Sequence, residues 1–124
     1  SDGVRFLGRV REEDKPDLYS GALGFLFPSR YEGFGLTVLE ALACGTPAIV
    51  ANATSLPEVA GPGALLVDPD DVAGWAEAIV RLTSDPALRA RLRAGGLAHA
   101  ARFTWERTAR ETLAAYGRVA RRSI

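Results

Sequence analysis

The sequence predicts an α/β fold in which a parallel sheet is flanked by helices. Short runs of apolar residues, typical of buried strands, alternate with segments in which apolar residues recur at helical spacing. This alternation favours parallel strands that are joined by crossover helices. From residue 72 onward the pattern is helical only, which predicts a helical C-terminal segment. With 124 residues, the chain has the length of a single domain.

Four segments are predicted to be strands. The first comprises residues 4–10, where apolar and polar side chains alternate before and around a glycine. The other three are the continuous apolar runs "LGFLFP", "TPAIVA" and "ALLVDP". We expect "LGFLFP" to be buried on both faces, because strands inside parallel sheets are covered by helices on both sides.

Helices are predicted between these strands. Residues 15–20 form a turn of helix that Gly21 ends. A longer helix begins near Leu36 and ends at Gly45, a suitable residue for the position after a helix. The segment that follows the run "TPAIVA" is rich in Asn, Ser, Pro and Gly, and predicts a loop with one helical turn at residues 57–59.

Three helices are predicted in the last part of the chain. The second begins at Pro86 and ends before Gly95 and Gly96, and Thr104 caps the third. The apolar faces of the first and third helices are expected to pack as core. These faces include the two tryptophans, Trp75 and Trp105.

The stretch "DPD" from Asp68 to Asp70 has the Asp-x-Asp spacing of metal-dependent transferases. A structural role is the simpler interpretation, because Asp68 or Asp70 would cap the first of these helices with Pro69 at its first position. Structural or solvated roles are also predicted for five other residues that resemble functional groups: His99, Cys44, Arg89, Arg91 and Arg93.

Charge and composition exclude several function classes. Basic and acidic residues both number 15, so nothing indicates a nucleic acid or an anionic membrane as a partner. Cys44 has no second cysteine to pair with, which predicts a reducing, cytoplasmic environment. No apolar run reaches the length of a membrane span. The chain begins with Ser1 rather than Met, so we expect further sequence upstream.

The stretch between Glu32 and Glu40 carries no charge and predicts a binding site. It follows a strand and leads into the helix near Leu36, and ligands of parallel α/β sheets bind beyond the strands' carboxyl ends. Gly33 and Gly35 allow the backbone to approach a ligand closely. The free amides and positive dipole at the start of the helix suit a phosphate or diphosphate.

The two carboxylates suit hydroxyl groups better than phosphates. Glu40 lies one turn into the helix, where its side chain tilts back toward the helix N-terminus and is suited to a ribose diol. Glu32 precedes the helix and is suited to hydroxyls of a second group such as a sugar. The alternative is that Glu40 is a solvated helix residue and that Glu32 is a negative charge that interacts favourably with the helix dipole.

The stretch "PSRYEGFGLTVLEALACGTPAIV" resembles the motif of two glutamates separated by seven residues in the retaining GT-B glycosyltransferases of family 4. Three further stretches, "VRFLGRV", "SLPEVAGPGALLVDPDD" and "RFTWERTARETLAAY", resemble other parts of that family in the same order. The resemblance implies a Rossmann-like sheet that is part of a GT-B C-terminal, donor-binding domain. It also implies that residues 1–124 form a single partial domain, without the first strands and the N-terminal acceptor domain.

The resemblance implies a role for each site residue. Glu32 would hold the transferred sugar and is the candidate catalytic residue, and Glu40 would bind the ribose. The other substrate-binding candidates are expected near the sugar and the diphosphate, or near the base and the rest of the nucleotide. The first group comprises Gly33, Phe34, Gly35, Leu36 and Thr37, and the second comprises Arg9, Val10 and Lys15.

The implied chemistry is sugar transfer with retention at the anomeric carbon, driven by stabilising the departing diphosphate rather than by a strong base. The donor would be a UDP-, GDP- or ADP-linked sugar, the acceptor is left open, and neither a cofactor nor a metal is implied. Because two strands of the family's sheet are missing, we expect exposed sheet edges that pair with another copy or with a companion chain. Activity of these residues alone is not expected, and contact with a membrane is expected only through the missing domain.

Two other functions stay open on the sequence. One is an interaction or structural module that has the fold but no activity. The other is a different GT-B enzyme, such as a sugar-nucleotide epimerase, which shares the donor half-site without transferring the sugar.

Overall fold

The computed structural model describes residues 3–29 and 36–122. Within these residues, three parallel strands form one sheet in the order β1–β2–β3, and five helices flank it. The strands are Phe25–Phe27 (β1), Ala48–Ala51 (β2) and Ala64–Val67 (β3). The helices are Lys15–Gly21 (α1), Leu36–Ala43 (α2), Leu56–Ala60 (α3), Val72–Ser84 (α4) and Pro86–Arg122 (α5). The predicted α/β class, with a parallel sheet and a helical C-terminal segment, is therefore confirmed.

Strand β2 is the centre of the sheet, and all of its residues are fully buried. Its side chains alternate between the two faces, as the pleat of a strand requires. Val50 packs in a cluster with residues of α2, α3 and the middle of α5. Ile49 packs in a second cluster with α4 and the first turns of α5. Helices thus cover both faces of β2, which accounts for its continuous apolar sequence.

Strand β1 lies at the edge of the sheet, and the prediction that it is buried on both faces is wrong. Leu26 is 43% exposed, whereas Ile49, its register partner on β2, is fully buried. Within the described residues, β1 pairs with β2 only, so its side chains have fewer neighbours to pack against. That this edge pairs with another copy or a companion chain stays a prediction.

Residues 4–10 do not form the predicted strand. Gly8 has a φ of +67°, which departs from extended backbone, and no described strand pairs with this segment. Phe6, which the alternating pattern places toward a core, is 92% exposed. A strand is stabilised by its hydrogen-bonded neighbour and by burial of one face, and an alternating sequence supplies neither.

The cap of α4 is Asp71, and the predicted cap at Asp68 or Asp70 is wrong. The Asp71 carboxylate accepts a hydrogen bond from the Gly74 amide at 2.9 Å. Asp68 instead accepts a hydrogen bond from the Asp70 amide at 2.8 Å and thereby shapes the turn before the helix. Pro69 lies in that turn rather than at the first helical position.

Helix α5 replaces the second and third helices of the prediction. It begins at Pro86 as predicted, but it continues through Gly95 and Gly96 to Arg122, and Thr104 lies inside it. Because α5 is long, it contributes to both core clusters described above. The prediction of two separate helices is therefore wrong.

Close packing explains why the two glycines do not end α5. A Cβ on Gly95 would lie 2.9 Å from the carbonyl oxygen of Pro62, and one on Gly96 would lie 3.3 Å from the Cα of Gly63. The helix therefore approaches the 3₁₀ turn Gly61–Gly63 at a distance that a larger side chain would prevent. Tertiary contact here outweighs the low helix propensity of glycine.

Candidate functional site

The carboxyl ends of the three parallel strands lie on the same side of the sheet, and ligands of open α/β sheets bind there. We call this row of strand ends the ligand edge, as distinct from the edge that strand β1 forms. From this edge the chain leads into α2 after β1, into the turn at residues 52–55 after β2, and into α4 after β3. Four of the predicted site residues lie outside the described residues: Glu32, Gly33, Phe34 and Gly35. The remaining six are described.

Helix α2 begins at Leu36, where the sequence predicts it. Its first amides have no acceptor within the helix, and the positive end of the helix dipole lies behind them. Thr37, in the first turn, is exposed. The helix ends as predicted, since Gly45 has a φ of +80° and its amide donates to the Leu42 carbonyl at 3.0 Å. The start of α2 therefore offers amides to an anion at the ligand edge.

A groove of about 250 Å³ between α1 and α2 brings Lys15 and Glu40 together. Cys44 directly follows α2, one turn beyond Glu40, and its amide donates to the Glu40 carbonyl at 3.2 Å. Lys15 and Tyr19 are one turn apart on α1, so they share one helix face. The two charged side chains thus lie over a mainly apolar floor. The groove residues are Glu12, Lys15, Pro16, Tyr19, Glu40, Ala43 and Cys44.

Lys15 is held as a cation by its acidic neighbours. Its Nζ donates a hydrogen bond to Oε1 of Glu12 at 2.6 Å. This hydrogen bond is the main reason that the pKa of Lys15 lies above its ordinary value of 10.5, against an opposing effect of desolvation. The charges of Glu12 and Glu40 raise the pKa further. Lys15 therefore presents a positive charge beside Glu40 at neutral pH.

Tyr19 connects the groove to the sheet. Burial raises the pKa of its phenol above 10.0, and the charge of Glu40 raises it further, so the phenol is neutral at physiological pH. Its ring packs edge-on against Phe25 of β1, with the ring centroids 5.6 Å apart. Its carbonyl accepts a hydrogen bond from the Thr46 hydroxyl. These two contacts at Tyr19 link the α1 wall of the groove to the rest of the fold.

Sequence reasoning identified only part of the groove. It selected Lys15 and Glu40 but missed Tyr19 and Glu12, and it treated Cys44 as a packing residue, although the half-buried cysteine also lines the groove. The spacing of four residues between Lys15 and Tyr19 on a predicted helix was the signal for Tyr19.

The two residues that are predicted to contact the base of the nucleotide lie apart from the groove. Arg9 is exposed and Val10 is half-buried, and both precede the 3₁₀ turn Glu12–Asp14. Neither residue lines the groove, although Glu12 in that turn does. Of the residues named here, only Glu12 lines the groove.

Residues that were interpreted as structural mostly have structural partners. His99 Nε2 lies 3.0 Å from the Glu58 carbonyl oxygen, and Trp75 packs against both core clusters. The side chain of Trp105 lies outside the described residues. Arg89 is not a solvated residue as predicted, because its guanidinium donates to two carbonyls at the end of α4, at 2.9 and 3.0 Å.

Two features are absent from the described residues. In residues 3–29 and 36–122, no three side chains of the His, Cys, Asp or Glu type come together as metal ligands do. In the same part of the chain, no helix combines the length and the apolar character that crossing a membrane requires.

Residues 1–98 match the family model described as "Glycosyl transferases group 1". The chain is 46% identical over 113 residues to the O-antigen chain mannosyltransferase B of Escherichia coli, covering 91% of this chain and 30% of that protein. It is 42% identical over 122 residues to the D-inositol 3-phosphate glycosyltransferase of Salinispora tropica, covering 94% and 25%. Among solved structures, sucrose-phosphate synthase from Thermosynechococcus elongatus superposes with a TM-score of 0.82 at 36% identity, covering 93% of this chain and 30% of that one.

The fold is that of a glycosyltransferase domain of the GT-B type. The family model covers most of the chain, so this chain belongs to the glycosyl transferases group 1 family. It spans 30% or less of the length of the three relatives named above.

Proposed function

We propose that this chain binds the donor of a retaining family 4 glycosyltransferase, and that the donor is a sugar linked to a nucleoside diphosphate. The observation that carries the proposal is the groove that Lys15 and Glu40 both line, with Glu40 one turn beyond the first amides of α2. The start of α2 follows β1 at the ligand edge of the sheet, and the chain belongs to the glycosyl transferases group 1 family. We propose that the whole protein is a transferase and that binding needs no metal.

The proposed ligand runs from the groove across the start of α2. Glu40 accepts hydrogen bonds from the ribose diol, and Lys15 offsets the negative charge that Glu40 would otherwise direct at the neighbouring diphosphate. The amides of Leu36 and Thr37 bind the diphosphate. The backbone at Arg9 and Val10 lies against the base.

The transferred sugar is proposed to lie at the residues that precede α2. Glu32 holds its hydroxyls, and the segment from Gly33 to Gly35, including Phe34, passes close to its ring. When the bond between the anomeric carbon and the diphosphate breaks, negative charge develops on the leaving oxygen. Amides at a helix N-terminus stabilise that charge, which is how this part of the chain would accelerate the reaction.

The two rival functions differ from this proposal in what they bind. An inactive structural module would not bind a nucleotide through Glu40. A sugar-nucleotide epimerase would bind the same donor but would not transfer its sugar, so a transfer assay on the whole protein separates it from a transferase.

The test is calorimetric titration of the protein with UDP, GDP and ADP. We expect one of the three to bind, and Glu40→Ala to weaken its binding by about 10-fold or more, because hydrogen bonds to a charged group are lost. Glu77→Ala is the matched control, since it removes an exposed carboxylate from α4, outside the groove. Binding that is equal in both variants, or a folded protein that binds none of the three, would contradict the proposal.

A further inference from the structure

The turn that follows β2 has an unusual residue at its tightest position. The Leu56 amide donates to the Ala53 carbonyl at 3.2 Å and closes a four-residue turn with Thr54 and Ser55 in the middle. The φ of Thr54 is +51°, and Ser55 has a φ of −89° and a ψ of 0°. A positive φ followed by these angles is typical of a type II′ turn, whose first central position favours glycine.

Thr54 is poorly suited to this position. A positive φ is rarely adopted by a β-branched residue, because its side chain crowds the backbone. In the described part of the chain, every other residue with a positive φ is a glycine. A glycine at position 54 would form the same turn without strain. The fold alone therefore gives no reason for a side chain here.

The position of the turn suggests that the Thr54 side chain contacts a ligand rather than stabilising the fold. Thr54 follows β2 at the ligand edge, and the neighbouring Ala53 packs against a cluster that contains Val38 and Leu39 of α2. The Thr54 side chain is exposed, and within residues 3–29 and 36–122 it takes part in no hydrogen bond. The Thr54 hydroxyl thus belongs to the residue that follows Ala53, and Ala53 packs against the helix whose amides are proposed to bind the diphosphate.

The two sides of α2 indicate which part of the ligand Thr54 would meet. Glu40 faces the groove on the side of α1, whereas Val38 and Leu39 face the cluster shared with α3, which begins just after the turn. A ligand with its ribose at Glu40 and its diphosphate at the start of α2 therefore continues toward the turn. The group that follows the diphosphate in the donor is the sugar.

We infer that the Thr54 hydroxyl forms a hydrogen bond with a hydroxyl of the transferred sugar, and that the strained turn holds it in place. This inference rests on the proposed function. Residues that are held in strained backbone conformations concentrate at ligand contacts, where the surrounding structure maintains them. Thr54 is thus a substrate-binding residue that helps to determine which sugar is accepted.

The test compares binding of a nucleoside diphosphate with binding of the corresponding nucleotide sugar in the intact protein. The pairs are UDP with UDP-glucose, GDP with GDP-mannose, and ADP with ADP-glucose. We expect Thr54→Ala and Thr54→Gly to weaken binding of the nucleotide sugar by about 2- to 10-fold, the range for one hydrogen bond, and to leave the diphosphate unaffected. Thr54→Ser should retain the wild-type preference, because it keeps the hydroxyl.

A stability measurement separates the loss of a contact from misfolding. Thr54→Gly should melt at a higher temperature than the wild type, since it relieves the strain, while it loses the sugar contact. Ser20→Ala is the control, because it removes an exposed hydroxyl of α1 at the opposite end of the sheet.

Several outcomes would overturn the inference. One is a wild type that binds the nucleotide sugar no more tightly than the diphosphate, and another is a preference that Thr54→Ala leaves unchanged. A third is an equal loss for both ligands. If the diphosphate binds through Glu40 in any of these cases, the proposed function stands and only the role of Thr54 fails. If no diphosphate binds, both fail.

Discussion

The described chain has two regions that differ in packing: the amino-terminal region, residues 3–29, and the central region, residues 36–103. Of the residues whose burial the structure describes, all the buried ones lie in the central region, between Val38 and Ala100, and the amino-terminal region has none. Yet the amino-terminal region also contains large apolar side chains, and most of them are exposed. The exposed ones are Val4, Phe6, Leu7, Leu18, Leu23 and Leu26. Apolar sequence therefore does not ensure burial, which depends on what packs against each segment.

The candidate site lies where these two regions meet. Lys15 and Tyr19 come from α1 in the amino-terminal region. Glu40 of α2 and Cys44, just after α2, come from the central region. The central region has the buried contacts that stabilise a fold, whereas α1 is held by few of them. One wall of the groove is thus rigid, and the other is expected to adjust more easily when a ligand binds.

The largest expected difference between the regions is in core packing. Ile49 and Leu26 are register partners on neighbouring strands, but Ile49 is fully buried and Leu26 is 43% exposed. We expect Ile49→Ala to lower the free energy of unfolding by about 2–5 kcal/mol, because it leaves a cavity in the core. Leu26→Ala should cost about 1 kcal/mol or less, since much of its surface is already in water. Chemical denaturation of both variants measures the two values.

Equal losses for Ile49→Ala and Leu26→Ala would remove the contrast. That result would mean that the β1 edge is covered in solution, and it would favour the prediction that another copy or a companion chain pairs with it. Light scattering on the wild type distinguishes pairing between copies from coverage within one chain.

A smaller difference is expected at the helix starts. Asp71 caps α4 through a hydrogen bond from the Gly74 amide, whereas Asp14, at the corresponding position of α1, makes no capping hydrogen bond. Asp71→Ala should therefore lower the free energy of unfolding by about 1 kcal/mol. Asp14→Ala removes only an exposed ion pair with Arg11 and should cost less than about 0.5 kcal/mol.

Thermal unfolding monitored by circular dichroism measures both variants, and Asp71→Asn is the control because asparagine also caps helices well. A loss with Asp71→Asn as large as with Asp71→Ala would show that the charge near the helix dipole, rather than the cap, stabilises α4.

The sequence predicts those parts of the fold that depend on neighbours in the chain. The apolar runs gave β1, β2 and β3, and the start of α2 and its end at Gly45 follow from local turn chemistry. Residues 4–10 show the limit, because their strand pattern has no strand to pair with in the described chain. Gly95 and Gly96 show the same limit in a helix, since only the approach of Pro62 and Gly63 explains why α5 continues there.

The site follows the same division. Glu40 could be selected because it belongs to a local pattern, and Lys15 because of the family resemblance. Their meeting in one groove depends on how α1 packs against α2. Tyr19 was missed because its only signal was the helical spacing from Lys15, and an aromatic residue at such a spacing on a short helix is also typical of packing. Thr54 was missed because its positive φ is a property of the folded turn, and the sequence "NATSLPEV" does not predict it.

The smallest expected effect is the pH dependence of stability that the groove contributes. The pKa of Tyr19 is raised above 10.0, mainly by burial and then by the charge of Glu40. A group whose pKa is higher in the folded than in the unfolded chain stabilises the fold fully at a pH below its unfolded-state pKa. That contribution is lost as the pH rises through its folded-state pKa. Above pH 10, the unfolded chain releases the phenol proton while the folded chain still holds it, so unfolding becomes more favourable. Lys15, whose pKa is raised above 10.5 mainly by its hydrogen bond to Glu12, acts in the same direction and in the same alkaline range.

Tyr19→Phe isolates the contribution of the phenol, because the ring contact with Phe25 is retained. We expect the melting temperatures of wild type and variant to change in parallel between pH 6 and 9, and the wild type to fall more steeply above about pH 10. Glu40→Gln should reduce the difference only in part, since burial is the larger cause of the shift. If the two curves stay parallel up to pH 11, then Tyr19 is as exposed to water in the folded chain as in the unfolded one. The α1 wall of the groove would then be open rather than packed, and the contrast between the two regions would extend into the site itself.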